Sequence, residues 1–168
     1  LGTDRVELYV PPKKGTTHVL RLIRELLNFK PKAAKTDLAG ALDYLGKVSK
    51  KRAVVFLVSD FQAEGFERAM RIVGKRHDLI AVPIVDPREV RLPNVGLIEL
   101  EDAETGEMIL VDTSSAAVRK RYERLGRERS ERFRELFASM GVDKIEVATD
   151  RDYIPHLVSF FRARERRY

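Results

Sequence analysis

The chain has 168 residues, 43% of them hydrophobic and 35% charged, with a net charge of +6 and no cysteine. That length can bury a core of its own, and the absence of cysteine excludes disulfides and thiolate metal centres. No apolar run approaches the roughly 20 residues that cross a bilayer, and no basic, apolar and small-residue leader pattern is present.

Residues 5–10 (RVELYV) alternate apolar and polar like a strand, and Pro11 and Pro12 stop the pattern. Gly15, Thr16 and Thr17 open a helix running to about Phe29, with Val19, Leu22, Ile23, Leu26 and Leu27 on one apolar face. After a basic loop, Thr36 is the expected N-cap of a second helix whose Leu38, Leu42, Leu45 and Val48 point inward. Residues 53–59 (AVVFLVS) are apolar at every position, as in a strand at the centre of a sheet covered on both sides. Residues 66–75 suit a helix. Residues 79–85 (LIAVPIV) form a second buried strand, with Pro83 expected near an edge or bulge because it removes a ladder donor.

Residues 95–101 and 107–112 alternate around Thr105 and Gly106, which predicts a hairpin. Its acids Glu99, Glu101, Asp102 and Glu104 read as a solvated edge that discourages further pairing. Ser114 and Ser115 can cap a long helix to about Met140, closed by Gly141. Its stripe is Val118, Tyr122, Leu125, Phe133, Leu136, Phe137 and Met140, and Arg129 interrupts it. A short strand over 144–148 and a helix over 153–164 complete the pattern. Strands alternating with helices predict an α/β fold with a mostly parallel sheet, helices on both faces and the hairpin as a small insertion. The chain reads as one domain over residues 1–168.

Ligands of such folds sit beyond the carboxyl ends of the strands, where Asp60, Asp86 and the pair Thr149 and Asp150 fall. No dinucleotide fingerprint, phosphate-cradling loop or nucleophile elbow occurs. The histidines His18, His77 and His156 lack ligand spacing and are expected at the surface or core edge. Thr36 and Asp60 offer a hydroxyl and a carboxylate of the kind Mg²⁺ accepts. The plainer reading of both is as local caps.

The run RVELYVPPKKGTTHVLRLIRELL, followed by KTDLAGALDYL, RAVVFLVSDF, HDLIAVPIVDPRE, LPNVGLIELEDAETGEMILVDTS and GVDKIEVATDRDYIPHLVSFFRARERR, is similar throughout to the bacterial domain of unknown function 58 family. The resemblance implies a Rossmann-like, von Willebrand factor A-type sheet. In such domains a metal-ion-dependent adhesion site combines an Asp-x-Ser-x-Ser motif with a threonine and an aspartate from later loops. Thr36 matches that threonine and Asp60 that aspartate, with Asp86 as an outer contact. No Asp-x-Ser-x-Ser occurs here, so the resemblance implies that the amino-terminal strands and the rest of the site precede Leu1. Mg²⁺ or another divalent cation is then expected only in the complete domain, with none tightly held by this chain.

The expected function is a protein-interaction or assembly module, working with a MoxR-type AAA+ ATPase, and not an enzyme. A hydrolase built on Asp60 and Asp86 lacks a nucleophile or base at supporting spacing. The alternative is a basic nucleic-acid-binding domain, from Arg119, Lys120, Arg121, Arg124, Arg127, Arg129, Arg132 and Arg134 on the long helix and Arg162, Arg164, Arg166 and Arg167 in the tail. Against it, interspersed glutamates offer pairs such as Arg119 with Glu123 and Arg127 with Glu131. Sheet edges left open are satisfied either by residues 5–10 closing onto 53–59 within one chain or by a homodimer paired through these segments, and the homodimer is the expectation. The expected compartment is the cytoplasm, as a free protein or the cytoplasmic part of a membrane-anchored one.

Overall fold

The computed structural model describes residues 2–32, 36–101 and 106–166. The chain packs as two compact units, Leu1–Lys50 with Ala63–Met70, and Lys51–Gln62 with Arg71–Tyr168.

In the first unit, residues 5–10 do not form the expected strand. Only an isolated bridge joins Gly2 to Val6. Alternation makes a strand only when a neighbour completes the ladder, and local bonds hold this segment instead. Thr3 donates its hydroxyl to Glu7, and Glu7 Oε2 accepts from the Lys32 amide at 3.1 Å. Helix α1 (Thr16–Asn28) begins where expected, but none of its residues is buried. Its Val19, Ile23, Leu26 and Leu27 are all exposed, because amphipathic spacing states which face needs cover and not what covers it. Helix α2 (Leu38–Val48) is capped by Asp37, not Thr36: the Asp37 carboxylate accepts from the Gly40 amide at 2.8 Å. Leu38 and Leu42 are buried, as are Phe66, Ala69 and Met70 of the returning segment.

The second unit holds a four-stranded parallel sheet. Strand β1 (Val54–Ser59) pairs in parallel with β2 (Asp78–Val85). β2 also pairs with the two short strands β5 (Asp143–Lys144) and β6 (Val147–Ala148). β2 is therefore the central strand, and residues 79–82 are buried. β1 is not central: among the described residues it pairs with β2 alone. Its uniform apolarity predicted a strand enclosed on both sides, and among the described residues it is flanked on one side. Composition records a preference for burial, whereas position depends on which strands are there to flank it.

Pro83 also departs from its expected place, because it lies in the central strand. Ala81 accepts from the Ile145 amide and Val85 from the Thr149 amide, at 2.9 and 3.0 Å. Pro83 stands between them with no N–H to give. The neighbouring ladder breaks at this level, which divides the expected single strand over 144–148 into β5 and β6.

Helices flank both faces of this sheet. Ile80 and Val82 join Ile145, Ile84 and Val147 under Leu157 and Phe160 of helix α5 (Ile154–Glu165). On the opposite face runs helix α3 (Glu67–Arg76). A methyl added at its Gly74 would lie 3.6 Å from Val142 and 4.0 Å from Leu79. Arg164 clamps α5 to the sheet, reaching Asp143 at 2.9 Å and Asp78 of β2. Strands β3 (Leu97–Glu101) and β4 (Met108–Asp112) form the expected hairpin as a separate antiparallel pair. The expected turn residue Thr105 and the acids Asp102 and Glu104 lie outside the described residues. Buried Thr113 closes the hairpin base, donating to the Gly96 carbonyl at 2.6 Å and accepting from the Val95 amide at 3.0 Å. Ser115 then caps the long helix α4 (Ala116–Ser139), and Gly141 ends it in the left-handed region at φ 65°.

Candidate functional site at the strand ends

Asp60 leaves the carboxyl end of β1 on a tight turn. The Ser59 hydroxyl accepts from the Phe61 amide at 3.1 Å, and the Asp60 carboxylate accepts from the Gln62 amide at 3.2 Å. The turn forces Phe61 to φ 58°, a strained conformation for a bulky residue, worth about 1–3 kcal/mol. Packing offsets that strain, because the Phe61 ring is buried 5.0 Å from Phe137 of α4, edge to face, with Phe133 at 6.3 Å. An aromatic cluster thus sets the direction in which Asp60 leaves the sheet.

Asp86 follows β2 and caps the short 3-10 turn Pro87–Glu89, accepting from the Arg88 amide at 2.8 Å. Two groups that sequence reasoning did not assign to the site join Asp60 and Asp86. One is Glu89, which accepts from the Gln62 side chain at 3.4 Å. Burial pushes its carboxyl above the ordinary value; the Arg129 cation opposes this, and the negative charges of Asp60 and Asp86 add to it. The other is Arg129, whose guanidinium donates to the Glu89 carbonyl at 3.3 Å. Its interruption of the apolar stripe of α4 was the one signal in the sequence. Gly126 brings α4 close: a methyl there would stand 3.0 Å from Val90 Cα and 3.3 Å from the Glu89 carbonyl oxygen. Burial is also the first cause of a raised Tyr122 hydroxyl pKa on the same helix.

The strand ends of β1 and β2 therefore bring Asp60, Asp86 and Glu89 into one electrostatic neighbourhood with a guanidinium among them. Thr36 belongs to the first unit, where it is exposed beside the Asp37 cap. Among the described residues no three acidic or histidine side chains converge as metal ligands. One Asp60 carboxylate oxygen is already engaged by its own loop. The described residues do not by themselves fit a divalent cation, so no chemistry is assigned to one here.

Beside the acids, a cavity of about 620 Å³ opens beyond the ends of β2, β5 and β6, lined by Arg91, Lys144, Arg151, Tyr153 and His156 among others. Its cations are largely spoken for: Lys144 pairs with Glu146 at 2.8 Å, Arg151 with Asp150 at 3.1 Å and Arg91 with Glu123 at 3.1 Å. Much of the basic face of α4 is likewise paired. Arg127 turns back to Glu123 at 2.6 Å rather than forward to Glu131, and Arg119 donates to the carbonyls of Thr113 and Ser114 instead of meeting Glu123. His77, expected at the surface or core edge, is fully buried, with neither ring nitrogen hydrogen-bonded among the described residues. No helix among the described residues is long and apolar enough to cross a membrane.

These features define a mixed α/β protein with a mostly parallel sheet, helices on both faces and acids at the strand ends. More particularly, the chain belongs to the family described as "Protein of unknown function DUF58", whose model matches residues 1–132. It is 29% identical over 160 residues to uncharacterized proteins of Mycobacterium bovis and Mycobacterium tuberculosis, covering 94% of this chain and 50% of theirs. An uncharacterized protein of Mycobacterium avium shows 29% identity over 160 residues, with 94% of both chains covered. The chain thus spans about half the length of the first two relatives. No solved structure matches it.

Proposed function

We propose that this chain is the carboxy-terminal part of a von Willebrand factor A-like domain that serves as a protein-interaction or assembly module, with a MoxR-type AAA+ ATPase as its partner. The observation that carries the reading is the position of Asp60: it leaves the carboxyl end of a parallel strand, in a βαβ unit, with Asp86 at the end of the next strand. Parallel α/β sheets present their ligands there. Asp60 is then one ligand of an adhesion site. A divalent cation needs more oxygen ligands than one carboxylate offers. In this reading the completed site captures a carboxylate of the partner, and the fold supplies a rigid frame for it instead of reaction chemistry.

Calorimetry with Mg²⁺ and Mn²⁺ tests the proposal, on this chain and on a chain extended to the length of the longer relatives. The short chain should show weak or no heat of binding. The extended chain should bind, and Asp60→Ala should abolish that binding along with ATPase capture. Tight Mg²⁺ binding by the short chain that survives Asp60→Ala would refute the site.

A further inference from the structure

The cavity beyond β2 and β6 follows from how the chain leaves these two strands. They end in step, with Val85 beside Ala148 and the Thr149 amide donating to the Val85 carbonyl at 3.0 Å. The chain then leaves β2 through the Pro87–Glu89 turn, and leaves β6 for α5, which packs on the face of Ile80 and Val82. Parallel sheets open a crevice where neighbouring strands send their connections apart, and the cavity of about 620 Å³ is lined from both exits. All of its lining residues belong to the second unit, and none comes from β1. Its walls are therefore the same whatever flanks the other side of β1. Its volume falls in the range of preformed small-molecule sites, roughly 300–1,000 Å³.

Part of the lining is aromatic. Tyr153, His156 and Phe160 line the cavity at spacings of three and four residues, which is one stripe along α5. The Phe160 ring is fixed by the Phe161 ring, edge to face at 5.5 Å, and by the Arg164 guanidinium 5.6 Å from its centroid. Pro87, Val90 and Ala148 add aliphatic surface. Such a lining takes a flat apolar ring out of water and stacks against it. The His156 imidazole and the Tyr153 hydroxyl make no hydrogen bond among the described residues, so both are available to orient a polar substituent.

The polar part of the lining carries more positive charge than negative. Arg91, Lys144 and Arg151 stand against Glu146 and Asp150. Each cation has a carboxylate partner, but the outer pairs are open to solvent: the Arg151 and Arg91 side chains are 64% and 71% exposed. Exposed pairs contribute little and exchange readily for another anion. Lys144 is the most sheltered of the three cations, at 27% exposed. A charge-assisted contact to its ammonium, made beside apolar walls, is the strongest polar contact this cavity offers. The excess of one positive charge in the lining suits a monoanion, which a carboxylate supplies.

We propose that this cavity binds a small aromatic acid, with its ring against Tyr153, His156 and Phe160 and its carboxylate on Lys144, between Arg91 and Arg151. Burial of the ring supplies the attraction, and the carboxylate fixes the direction in which the ring enters. The inference does not rest on the adhesion-site reading, because neither Thr36 nor Asp60 lines the cavity and no metal ion takes part.

Cinnamate is the probe, titrated into the chain by calorimetry and followed by amide NMR shifts. It should bind with a submillimolar Kd, the scale of a ligand this small. The shifted amides should cluster where the lining lies, around Val85, Val90, Lys144, Ala148 and Tyr153. Two analogues separate charge from ring. Cinnamyl alcohol, which is neutral, and cyclohexanepropionate, which has no aromatic ring, should each bind about tenfold more weakly. Tyr153→Ala should weaken cinnamate about fivefold. Lys144→Met should bring cinnamate to within about threefold of cinnamyl alcohol and leave the affinity for the alcohol unchanged. The shift map and the analogue series use the unmodified chain, so they decide the matter even where a variant fails to fold. No binding at millimolar cinnamate overturns the proposal. So do shifts that cluster away from this lining, or cinnamyl alcohol binding as tightly as cinnamate.

Discussion

Replacing Arg164 with methionine tests how α5 is held on the sheet. The guanidinium is 14% exposed and reaches Asp143 at 2.9 Å and Asp78 on the central strand, whose side chains are 35% and 30% exposed. It also lies 5.6 Å from the Phe160 ring centroid. Exposed ion pairs contribute about 0–1 kcal/mol, and breaking a buried one costs about 3–5 kcal/mol. Partial burial of all three groups places Arg164→Met between these limits, at about 2 kcal/mol. Methionine retains most of the apolar stem, so the loss reports the charge and its hydrogen bonds more than packing. With a urea dependence of about 2 kcal/mol per molar, the unfolding midpoint should fall by about 1 M. The informative comparison is a cycle with Asp78→Asn and Asp143→Asn. In that background Arg164→Met should lose about 1 kcal/mol less, since no carboxylates remain to be left unpaired. An equal loss in both backgrounds would refute the clamp and assign the effect to packing.

Gly126→Ala should destabilise the protein by about 1–3 kcal/mol on thermal melting, although alanine is the better helix former by about 1 kcal/mol, because the added methyl meets main-chain atoms of Val90 and Glu89; an increase in stability would show that α4 can retreat freely. Glu89 has a raised pKa in the fold, so the native state holds its proton more tightly than the unfolded chain. The stability this gives is complete below the unfolded pKa and lost as pH rises through the folded one. Glu89→Gln should therefore raise the melting temperature relative to the parent at neutral pH, with the advantage fading as pH falls through the folded pKa and gone below about pH 4; a constant difference at all pH values would contradict the assignment. His77→Leu should be neutral or stabilising by about 1 kcal/mol, since it removes two buried ring nitrogens without partners among the described residues. A clear loss of stability would reveal a hydrogen bond that the imidazole makes.

Local chemistry was legible in the residues themselves. The helices around 16–28, 38–48, 67–76, 116–139 and 154–165 follow from apolar spacing bounded by Pro, Gly and Ser. The hairpin pairing of β3 with β4 and the buried run of β2 followed from alternation and unbroken apolarity. Asp60 and Asp86 could be placed at strand ends because each ends a strand in sequence. The adjacency of Glu89 and Arg129 could not, since it depends on α4 crossing at Gly126, a packing event between segments about 40 residues apart, the separation of the bonded pair. Nor could the position of β1 be read from its sequence. A strand's side chains state how much cover it needs, but its place in a sheet depends on which other strands supply hydrogen-bonding neighbours. For the same reason residues 5–10 alternate like a strand without becoming one, and Pro83 sits mid-sheet where the adjacent ladder breaks. Periodicity is a property of one segment and can be read along the chain; pairing is a property of two, and only the tertiary structure decides it.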